Sequence, residues 1–390
     1  MSPRHGIASV RIYLDHNAGA PLRAEARAAM LDVLAGPPSN PSSPHREGAQ
    51  ARRVLEEARA AVAALLAAKP AEIVFTSGAT EANNLALRGV LAVAGDRRGL
   101  VVTAIEHASV LETARALAQE GADLRMVPVD GEGRVDIAGV LAACDGGTAL
   151  VSVGLANGEI GTEAPVAAIA AALRGRGIVL HTDAAQMAGR GRLDVGALGV
   201  DLLSLSSHKL GGPAGVGGLW VRPGTQLRPQ LTGGPQERER RAGTEPVAAV
   251  AGFGAAAHAA QAGLAMAPAR MAGLRDRLWD GLHARLPDMV RHGPSSGPCL
   301  PNTLNVGFPG CAGESLLVLL DLAGVAVSLG SACAAGSPES SHVLRAMGLD
   351  ADAARGGLRL SLGPDTTEAE IDAVVDLLPR LVRQVRSEAA

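Results

Sequence analysis

Short runs of apolar residues alternate with longer periodic segments through the middle of the chain. The short runs are typical of buried strands, and the longer segments, in which apolar residues recur every three or four positions, are typical of helices with one buried face. Such alternation predicts crossover units and a mostly parallel sheet covered by helices, which is an α/β fold. The predicted strands are residues 72–76, 100–104, 124–129, 149–153, 178–181, 202–206 and 218–221.

The two ends of the chain show other patterns. Helical periodicity runs to about Ala35 and resumes over residues 46–68, and the four prolines within residues 36–44 exclude regular structure between them. Because 390 residues exceed the usual size of one hydrophobic core, we expect two domains. Beyond the middle of the chain, the predicted elements are strands at residues 304–308, 325–328 and 357–363 and a helix from about residue 313.

The composition is that of an ordinary globular protein. Hydrophobic residues make up 47% of the chain and the net charge is −3, so there is no basic field of the kind that binds nucleic acid. Aromatic residues, at 2%, leave few rings on which single-stranded bases could stack. The four cysteines lie far apart, without the spacing of zinc ligands or of a disulfide framework, and no metal site is predicted.

No apolar targeting segment opens the chain, and the cytoplasm is the expected location. Residues 247–269 carry no charged side chain and are long enough to cross a bilayer, but their alanines and glycines make them much weaker than a leucine-rich span. We predict a buried helix here, followed by a second helix over residues 271–286, and no membrane partner.

Polar residues follow the carboxyl ends of five predicted strands, where open parallel sheets bind their ligands. After the first strand, Gly78 permits a tight turn, and the helix start at Ala79 and Thr80 offers free amide groups and a dipole suited to phosphate. A hydroxyl residue here is also a common cap, and a lone histidine or aspartate at a strand end is usually a cap or turn former. Five such ends in one crevice favour a ligand site. The other candidates are His107, Asn157, Asp183, Gln186, Ser206 and His208.

Lys209 lies in the polar and glycine-rich stretch of residues 204–218. The chain has two lysines, Lys69 and Lys209, although it has many arginines. Arginine replaces lysine for surface charge but cannot act as an amine nucleophile. A lysine that is partly desolvated at a strand end loses proton affinity and forms a Schiff base with an aldehyde. A solvated lysine in a glycine-rich turn is the alternative interpretation.

The order of residues excludes two common phosphate sites. A nucleotide P-loop has its glycines before the lysine, whereas here they follow Lys209, and no strand-to-helix turn has the dinucleotide-binding glycine pattern. A phosphate-bearing aldehyde held by a lysine, with an acid for a ring nitrogen, matches pyridoxal 5'-phosphate. Cys333, flanked by small residues, is a candidate nucleophile. Arg359 suits either a substrate carboxylate or a structural ion pair.

These residues resemble the pyridoxal-phosphate-dependent cysteine desulfurases of the nitrogenase and iron–sulfur assembly type, which belong with the class V aminotransferases. The resemblance extends from Tyr13 to the C-terminal helix, and Gly158 stands where the family commonly has a second asparagine. The matching motifs are Ser77-Gly-Ala-Thr80, Glu106-His107, Asn157 with Glu159-Ile-Gly161, Asp183 with Gln186, Ser206 to Lys209, Arg241-Ala-Gly-Thr244, Gly330-Ser-Ala-Cys333 and Arg359.

The resemblance implies a fold-type I homodimer that uses pyridoxal 5'-phosphate. It implies conversion of L-cysteine to L-alanine, with the sulfur kept as a persulfide and passed to a sulfur-acceptor or iron–sulfur scaffold protein. It further implies a large cofactor domain, residues 21–260, and a smaller α+β domain, residues 261–390. The smaller domain would carry the cysteine loop and be joined by the N-terminal segment, residues 1–20.

The resemblance also implies roles for individual residues. Lys209 forms the Schiff base, Asp183 pairs with the pyridinium nitrogen, and His107 stacks on the ring. Cys333 takes the sulfur and is the place of any transient contact with an iron–sulfur cluster, and Arg359 binds the substrate carboxylate. The remaining cofactor-binding residues are Ala79, Thr80, Asn157, Gln186, Ser206, His208 and Thr244. Of these, Asn157 also contacts substrate, and Thr244 reaches the cofactor of the partner subunit.

Two other functions stay open at this point. A selenocysteine lyase or a transaminase of the same class would depend less on Cys333. A non-catalytic scaffold would keep the fold without a cofactor bound to Lys209.

Overall fold

The computed structural model describes residues 11–38, 40–330 and 341–389. Its strands are β1 Ile12–Tyr13, β2 Ile73–Thr76, β3 Gly99–Thr103, β4 Asp123–Val127, β5 Thr148–Ser152, β6 Val179–Asp183, β7 Leu202–Ser206, β8 Gly217–Val221, β9 Val290–His292, β10 Thr303–Gly307, β11 Val325–Ala326 and β12 Gly357–Ser361. Its α-helices are α1 Ala24–Ala35, α2 Arg46–Leu65, α3 Ala79–Leu91, α4 Ala108–Gln119, α5 Ile137–Ala142, α6 Val166–Leu173, α7 Val195–Leu198, α8 Val247–Gly263, α9 Ala267–His283, α10 Gly313–Leu322, α11 His342–Ala346, α12 Ala351–Arg355 and α13 Glu368–Ala389.

The described residues form a seven-stranded sheet in the order β2-β8-β7-β6-β5-β3-β4. Strands β3 to β7 pair in parallel, and β8 runs antiparallel to both of its neighbours, β2 and β7. Strands β2, β3, β5, β7 and β8 are buried along their whole length, as expected of strands covered by helices on both faces. The predicted mostly parallel sheet is confirmed, and the carboxyl ends of β2 to β7 lie along one edge.

Helices cover this sheet through their apolar sides. In α2 the buried residues Ala51, Leu55, Ala58 and Val62 recur every three or four positions, and this face packs against α8. Helix α1 packs on α8 as well, so α8 is apolar on most of its surface because it lies between other elements. The predicted buried helix and its successor are therefore α8 and α9.

The membrane test concerns the same two helices. No single helix among the described residues is long and apolar enough to cross a bilayer. Within the described part of the chain, α8 and α9 taken together reach the length and composition of a span, but they are bent by 74° where they meet.

The C-terminal elements form a second sheet and a second core. β10 pairs antiparallel with β9 and with β12, and α9, α10 and α13 contribute apolar residues to the core around this sheet. Leu14 from the N-terminal segment joins that core, and β1 pairs in parallel with β11. The N-terminal segment is thus built into the C-terminal part of the molecule. The domain boundaries at residues 20 and 260 stay a prediction.

The strand predictions differ from the structure in three respects. β1 and β9 were not expected, because strands of two and three residues are too short to show a period. Three strands end two residues before their predicted limits of 129, 328 and 363, namely β4 at Val127, β11 at Ala326 and β12 at Ser361. The direction of β8 was also not foreseen, since a buried strand has the same apolar composition in either direction.

Candidate active site

Strand ends bring the predicted polar residues to one edge of the seven-stranded sheet. β2 ends just before α3, β3 is followed by His107 at the start of α4, and the chain beyond β5 forms the turn at Asn157. β6 ends at Asp183, and β7 ends at Ser206 before the short helical turn that carries Lys209. Because β7, β6, β5 and β3 are consecutive neighbours, these ends lie side by side.

Lys209 is held against the N-terminal segment. Its Nζ donates to the backbone carbonyls of Asn17 at 2.6 Å and Ala18 at 3.0 Å. The N–H of Ala20 donates in turn to the carbonyl of His208. The amine therefore lies, half-buried, between the N-terminal segment and the sheet edge.

A small cavity lies beside Lys209, and its lining includes His16 and Arg190. Its volume of about 50 Å³ accommodates a few water molecules but not a cofactor. The strand-end residues described above, apart from Lys209, lie outside it. A cofactor therefore has to occupy the open side of the sheet edge.

Asp183 is an oriented carboxylate. Asn83 Nδ2 donates to its Oδ2 at 2.7 Å, and the N–H of Ala185 donates to its Oδ1 at 2.9 Å. Asn83 is fully buried, which makes this contact rigid. Each carboxylate oxygen keeps a lone pair for a further donor.

His107 caps the start of α4 and faces the same edge. Its Nδ1 lies 2.7 Å from Ser109 Oγ and accepts the Ser109 N–H at 3.1 Å. Part of the ring is exposed, yet the protein around it removes much of its hydration, and this desolvation lowers the pKa of His107. The carboxylate of Asp183 raises that pKa, and the positive charge of Lys209 lowers it. Two other predicted site residues thus act on His107 electrostatically.

Ser206 and His208 form a hydrogen-bonded pair beside the lysine. Ser206 Oγ lies 2.9 Å from His208 Nδ1, and Ser206 is buried. Burial lowers the pKa of His208 to about 4, with further lowering from Lys209 and His107. The pair can therefore form hydrogen bonds to an anion but carries no formal charge.

The turn between β2 and α3 is a backbone cradle. Gly78 has a φ of 156°, a conformation that favours glycine, and α3 begins at Ala79 with Thr80 exposed in its first turn. A Cβ added at Gly217 in β8 would lie 2.6 Å from the Cα of Gly78, so glycine at 217 lets the strand touch the turn. The first amide groups of α3 have no acceptor within the helix and suit an anion.

Asn157 supports the turn after β5. Its Oδ1 accepts the N–H groups of Glu159 and Ile160, and its Nδ2 donates to the carbonyl of Ile105 at 2.9 Å. The structure thus gives Asn157 a turn-forming role. Its contacts with cofactor and substrate stay a prediction.

Gln186 lies between the N-terminal segment and Arg190. Its Nε2 donates to the carbonyl of Asn17 at 3.1 Å, and its Oε1 accepts Arg190 Nη1 at 2.6 Å. A Cβ added at Gly158 would lie 2.4 Å from Gln186 Nε2. Glycine at position 158 therefore leaves the space that the Gln186 amide occupies.

Arg359 is almost wholly buried in β12 and forms an ion pair. Its Nη2 donates to Asp15 Oδ1 at 2.7 Å, and its Nη1 donates to the carbonyl of Gly158 at 3.3 Å. Within the described residues, its buried Nε has no hydrogen-bond acceptor, which is an unfavourable state for a donor. The ion-pair alternative is thus present, and the substrate role stays a prediction.

Thr244 is exposed on a loop beside α3. Arg241 of the same loop donates from Nε to Glu81 Oε1 at 2.9 Å, and Glu81 lies in the first turn of α3. This loop is therefore tied to the backbone cradle. The predicted nucleophile Cys333 lies outside the described residues.

Three buried polar residues support the site although the sequence analysis predicted no role for them. Asn83 on α3 contacts Asp183, and Ser109 on α4 contacts His107. Asn83 could have been found as a polar residue on the buried face of a helix, one turn after Thr80.

The third is Glu106, which precedes His107 and is fully buried. Thr103 Oγ1 donates to its Oε1 at 2.5 Å, and the N–H of Gly154 donates to both of its oxygens. Burial raises the pKa of Glu106 to about 7, against the lowering effect of these donors.

The chain matches the family model of class-V aminotransferases over residues 12–374. It is 45% identical over 379 residues to a cysteine desulfurase of Cereibacter sphaeroides, with 97% of both chains covered. It is 43% identical over 377 residues to cysteine desulfurase 2 of Trichormus variabilis, with 96% of this chain and 94% of the relative covered. The chain belongs to the cysteine desulfurase family.

Solved structures agree with this membership. A NifS-like protein of 35% sequence identity superposes with a TM-score of 0.89 over 96% of this chain and 100% of that one. A structure described as SspA in complex with cysteine has a TM-score of 0.80 at 32% identity, over 91% of this chain and 100% of that one. Cysteine desulfurases are fold-type I enzymes that depend on pyridoxal 5'-phosphate. The predicted family, fold and cofactor are therefore confirmed.

The residues present fit the cofactor of this family. Its aldehyde needs an amine, its ring nitrogen needs a carboxylate, and its phosphate needs amide and hydroxyl donors. The sheet edge supplies Lys209, Asp183 with unused lone pairs, and the free amides of the α3 start. The donor set thus matches the cofactor at each end.

Proposed function

We propose that this member of the family converts L-cysteine to L-alanine and keeps the sulfur as a persulfide on Cys333. The observation that carries the proposal is the common sheet edge at which Lys209, Asp183 and His107 follow the ends of β7, β6 and β3. The names of relatives support cysteine as the substrate, since the two at 43% and 45% identity are cysteine desulfurases. One structural relative was solved in complex with cysteine.

The strand ends would hold the cofactor at three points. Lys209 supplies the amine that bonds the aldehyde carbon, and Asp183 faces the ring nitrogen. His107 would cover one face of the ring, and Asn157 and Gln186 would contact its hydroxyl. The residues proposed to hold the phosphate are Ala79, Thr80, Ser206, His208 and, across a dimer interface, Thr244.

When bound, pyridoxal phosphate supplies an electron-withdrawing ring that stabilises negative charge on the substrate α-carbon. Asp183 keeps a proton on the ring nitrogen, because Asn83 and Ala185 fix its carboxylate in place. Once released, the amine of Lys209 takes the proton from the α-carbon and returns it later in the cycle.

Arg359 receives the substrate carboxylate. Its guanidinium already has one carboxylate partner, Asp15, and its Nε is a buried donor without an acceptor in the described part of the chain. A substrate carboxylate satisfies that donor, and a planar fork suits the two oxygens. Substrate binding therefore completes a hydrogen-bond set that the protein leaves incomplete.

Cys333 carries out the sulfur step. Its thiolate attacks the substrate sulfur, an S–S bond forms, and the carbon–sulfur bond breaks with its electron pair left on carbon. A proton then completes the methyl group of alanine, and the persulfide stays on Cys333. No external oxidant is consumed, because the carbon is reduced as the sulfur is oxidised.

The proposal includes a homodimer, a cytoplasmic location and a sulfur-acceptor or scaffold protein that takes the persulfide. Thr244 supports the homodimer, since its side chain is exposed on a loop tied to α3. In such a dimer each cofactor site would include residues of both subunits. The division into a large domain, residues 21–260, and a small domain, residues 261–390, belongs to the same proposal.

Mass spectrometry after brief exposure to L-cysteine tests the proposal. We expect one extra sulfur atom on Cys333, with release of alanine and, after addition of a reductant, of sulfide. Cys333→Ala should keep the cofactor absorbance and lose sulfide release. The matched control is Cys299→Ala, which removes a different thiol, itself partly exposed, and should release sulfide normally.

Two outcomes would contradict the proposal. Faster turnover of L-selenocysteine or of ordinary amino donors, with Cys333→Ala fully active, would indicate a selenocysteine lyase or a transaminase. A colourless protein in which borohydride fixes no cofactor on Lys209 would indicate a non-catalytic scaffold. Lys69→Ala is the control for the labelling, because Lys69 is the other lysine of the chain.

A further inference from the structure

A continuous series of hydrogen bonds joins Asp183 to His107 through Asn83 and Ser109. Asn83 Nδ2 lies 2.7 Å from Asp183 Oδ2 and 2.8 Å from Ser109 Oγ. Ser109 Oγ lies 2.7 Å from His107 Nδ1. Asn83 is fully buried and Ser109 is 9% exposed, so the hydrogen bond between them is shielded from water.

The direction of the line follows from the carboxylate at one end. An ionised carboxylate only accepts, so the Asn83 atom that faces Asp183 has to be the amide nitrogen. Asn83 Oδ1 then points elsewhere, and it has no hydrogen-bond partner among the described residues. A flipped amide would place an oxygen against Asp183 Oδ2, which excludes the other orientation.

The same reasoning assigns the proton on His107. Ser109 Oγ accepts from Asn83, so its own hydrogen is available for His107 Nδ1. The backbone N–H of Ser109 also points at Nδ1, at 3.1 Å. Two donors therefore face Nδ1, which has to carry a lone pair. In a neutral imidazole the proton is then on Nε2.

We propose that Asn83 and Ser109 are positioning residues that fix His107 as a neutral imidazole with its proton on Nε2. His107 then enters the reaction as a proton donor, and Lys209 is left as the base for the α-carbon. This inference rests on the proposed function for its kinetic consequence, but the assignment of the proton itself concerns the protein alone.

The charged and titratable groups around His107 agree with a neutral ring. Asp183 favours protonation, while Lys209 and His342 disfavour it, and desolvation outweighs each of them and lowers the pKa of His107. His342 Nε2 lies 3.0 Å from the carbonyl of Glu106, on the side of α11. Protonating Nδ1 would also turn the Ser109 backbone N–H, whose direction is fixed, into an unfavourable contact.

Nitrogen-15 spectra of histidine-labelled, full-length protein test the assignment directly. We expect His107, identified by its loss in His107→Asn, to show an unprotonated Nδ1 and a protonated Nε2 at neutral pH, with and without cofactor. In Ser109→Ala and Asn83→Ala we expect a mixture of the two tautomers and a raised pKa for His107. Ser109→Thr keeps the hydroxyl and should restore the single tautomer.

Kinetics test the consequence. In Ser109→Ala and Asn83→Ala we expect kcat for L-cysteine to fall about tenfold with little change in KM, because His107 does not bind the substrate carboxylate. The acid limb of the kcat profile should move to higher pH, since the protonated ring becomes easier to form. The kcat of the double variant should be no lower than that of the more affected single variant, because the two residues act on His107 through the same hydrogen bonds.

Thr113→Val is the matched control, because it removes a buried hydroxyl one turn further along α4. It should leave the tautomer of His107 and the pH profile of kcat unchanged. The melting temperature of each variant, measured without cofactor, shows whether a loss of activity comes from misfolding rather than from a displaced His107. A protonated Nδ1 in the unaltered protein overturns the inference, as does a tautomer indifferent to both Ser109→Ala and Asn83→Ala. Absence of sulfide release in the unaltered protein would instead overturn the proposed function and leave the proton assignment intact.

Discussion

The buried ion pair between Glu237 and Arg59 is the best place to test how the Thr244 loop is held. Arg59 Nη1 and Nη2 donate to the two carboxylate oxygens of Glu237 at 2.7 and 2.8 Å, and both side chains are 2% exposed. The N–H of Phe75 in β2 donates to Glu237 Oε2 at 2.8 Å. The pair thus connects the loop to α2 and to the strand that leads into the backbone cradle.

This contact acts against backbone strain. Glu237, Arg238 and Glu239 have φ values of 47°, 58° and 63°, in the left-handed region that residues with a Cβ avoid. Each such residue costs about 1 kcal/mol, so the segment stores about 3 kcal/mol. Removing one partner of a buried ion pair costs about 3–5 kcal/mol, which is enough to let the segment open.

Glu237→Gln keeps the size of the side chain and removes its charge. Arg59 retains Glu56 at 3.0 Å, so we take the lower figure of about 3 kcal/mol. That energy corresponds to an increase of about 150-fold in the exchange rate of the Phe75 amide with deuterium. Hydrogen exchange with mass spectrometry of peptides that contain residues 73–76 and 235–240 measures it.

Glu239→Gln is the control for this change. Glu239 is exposed and has the same left-handed conformation, so its substitution removes a charge without opening a buried pair. Its exchange rates should match those of the unaltered protein. Equal protection of Phe75 in both variants would refute the idea that the ion pair balances the strain.

Three further predictions concern the sites around the sheet edge. Burial raises the pKa of Glu106 from 4.5 to about 7, so the folded state binds more protons in this window and stability falls as pH rises through it. Between about pH 4 and pH 8, the free energy of unfolding of Glu106→Gln should therefore rise by about 3 kcal/mol relative to that of the unaltered protein, as measured by urea unfolding. A difference between the two proteins that does not change with pH would contradict this. Gly217→Ala should lower the melting temperature and weaken cofactor binding, because the added Cβ would meet the backbone of the β2–α3 turn. The control is Gly273→Ala, in open space on α9, whose free energy of unfolding should rise by about 0.5–1 kcal/mol. Asp15→Asn removes the internal partner of Arg359 and should lower KM for L-cysteine about fivefold in steady-state assays, while a raised KM would show that Asp15 mainly orients the guanidinium.

Sequence reasoning reached the site because parallel strands share one edge. The positions of Asp183 and Ser206 at the ends of β6 and β7 follow from two apolar runs, and strand order then brings Lys209 beside them. The turn at Gly78 followed from the same logic, since a glycine between a strand and a helix has few other uses.

Contacts that depend on the packing of distant segments could not be read in the same way. Asn83 meets Asp183 across 100 positions, and Asp15 meets Arg359 across 344. The amine of Lys209 is held by backbone carbonyls, and because every residue has a backbone carbonyl, the sequence does not indicate which ones accept. The left-handed segment that begins at Glu237 contains no glycine, so its sequence looks like that of an ordinary charged turn.

The pairing of β1 with β11 has a consequence for how the molecule is made. Residues 12 and 13 are synthesised 313 positions ahead of residues 325 and 326, with which they pair, and Asp15 pairs with Ser361, which is made later still. The N-terminal segment, whose Asn17 and Ala18 carbonyls accept from Lys209, therefore stays without these strand partners while the intervening residues are synthesised. Long-range closure of this kind is slow. The yield of refolding should therefore depend more on keeping residues 12–15 free to pair than on the stability of the seven-stranded sheet.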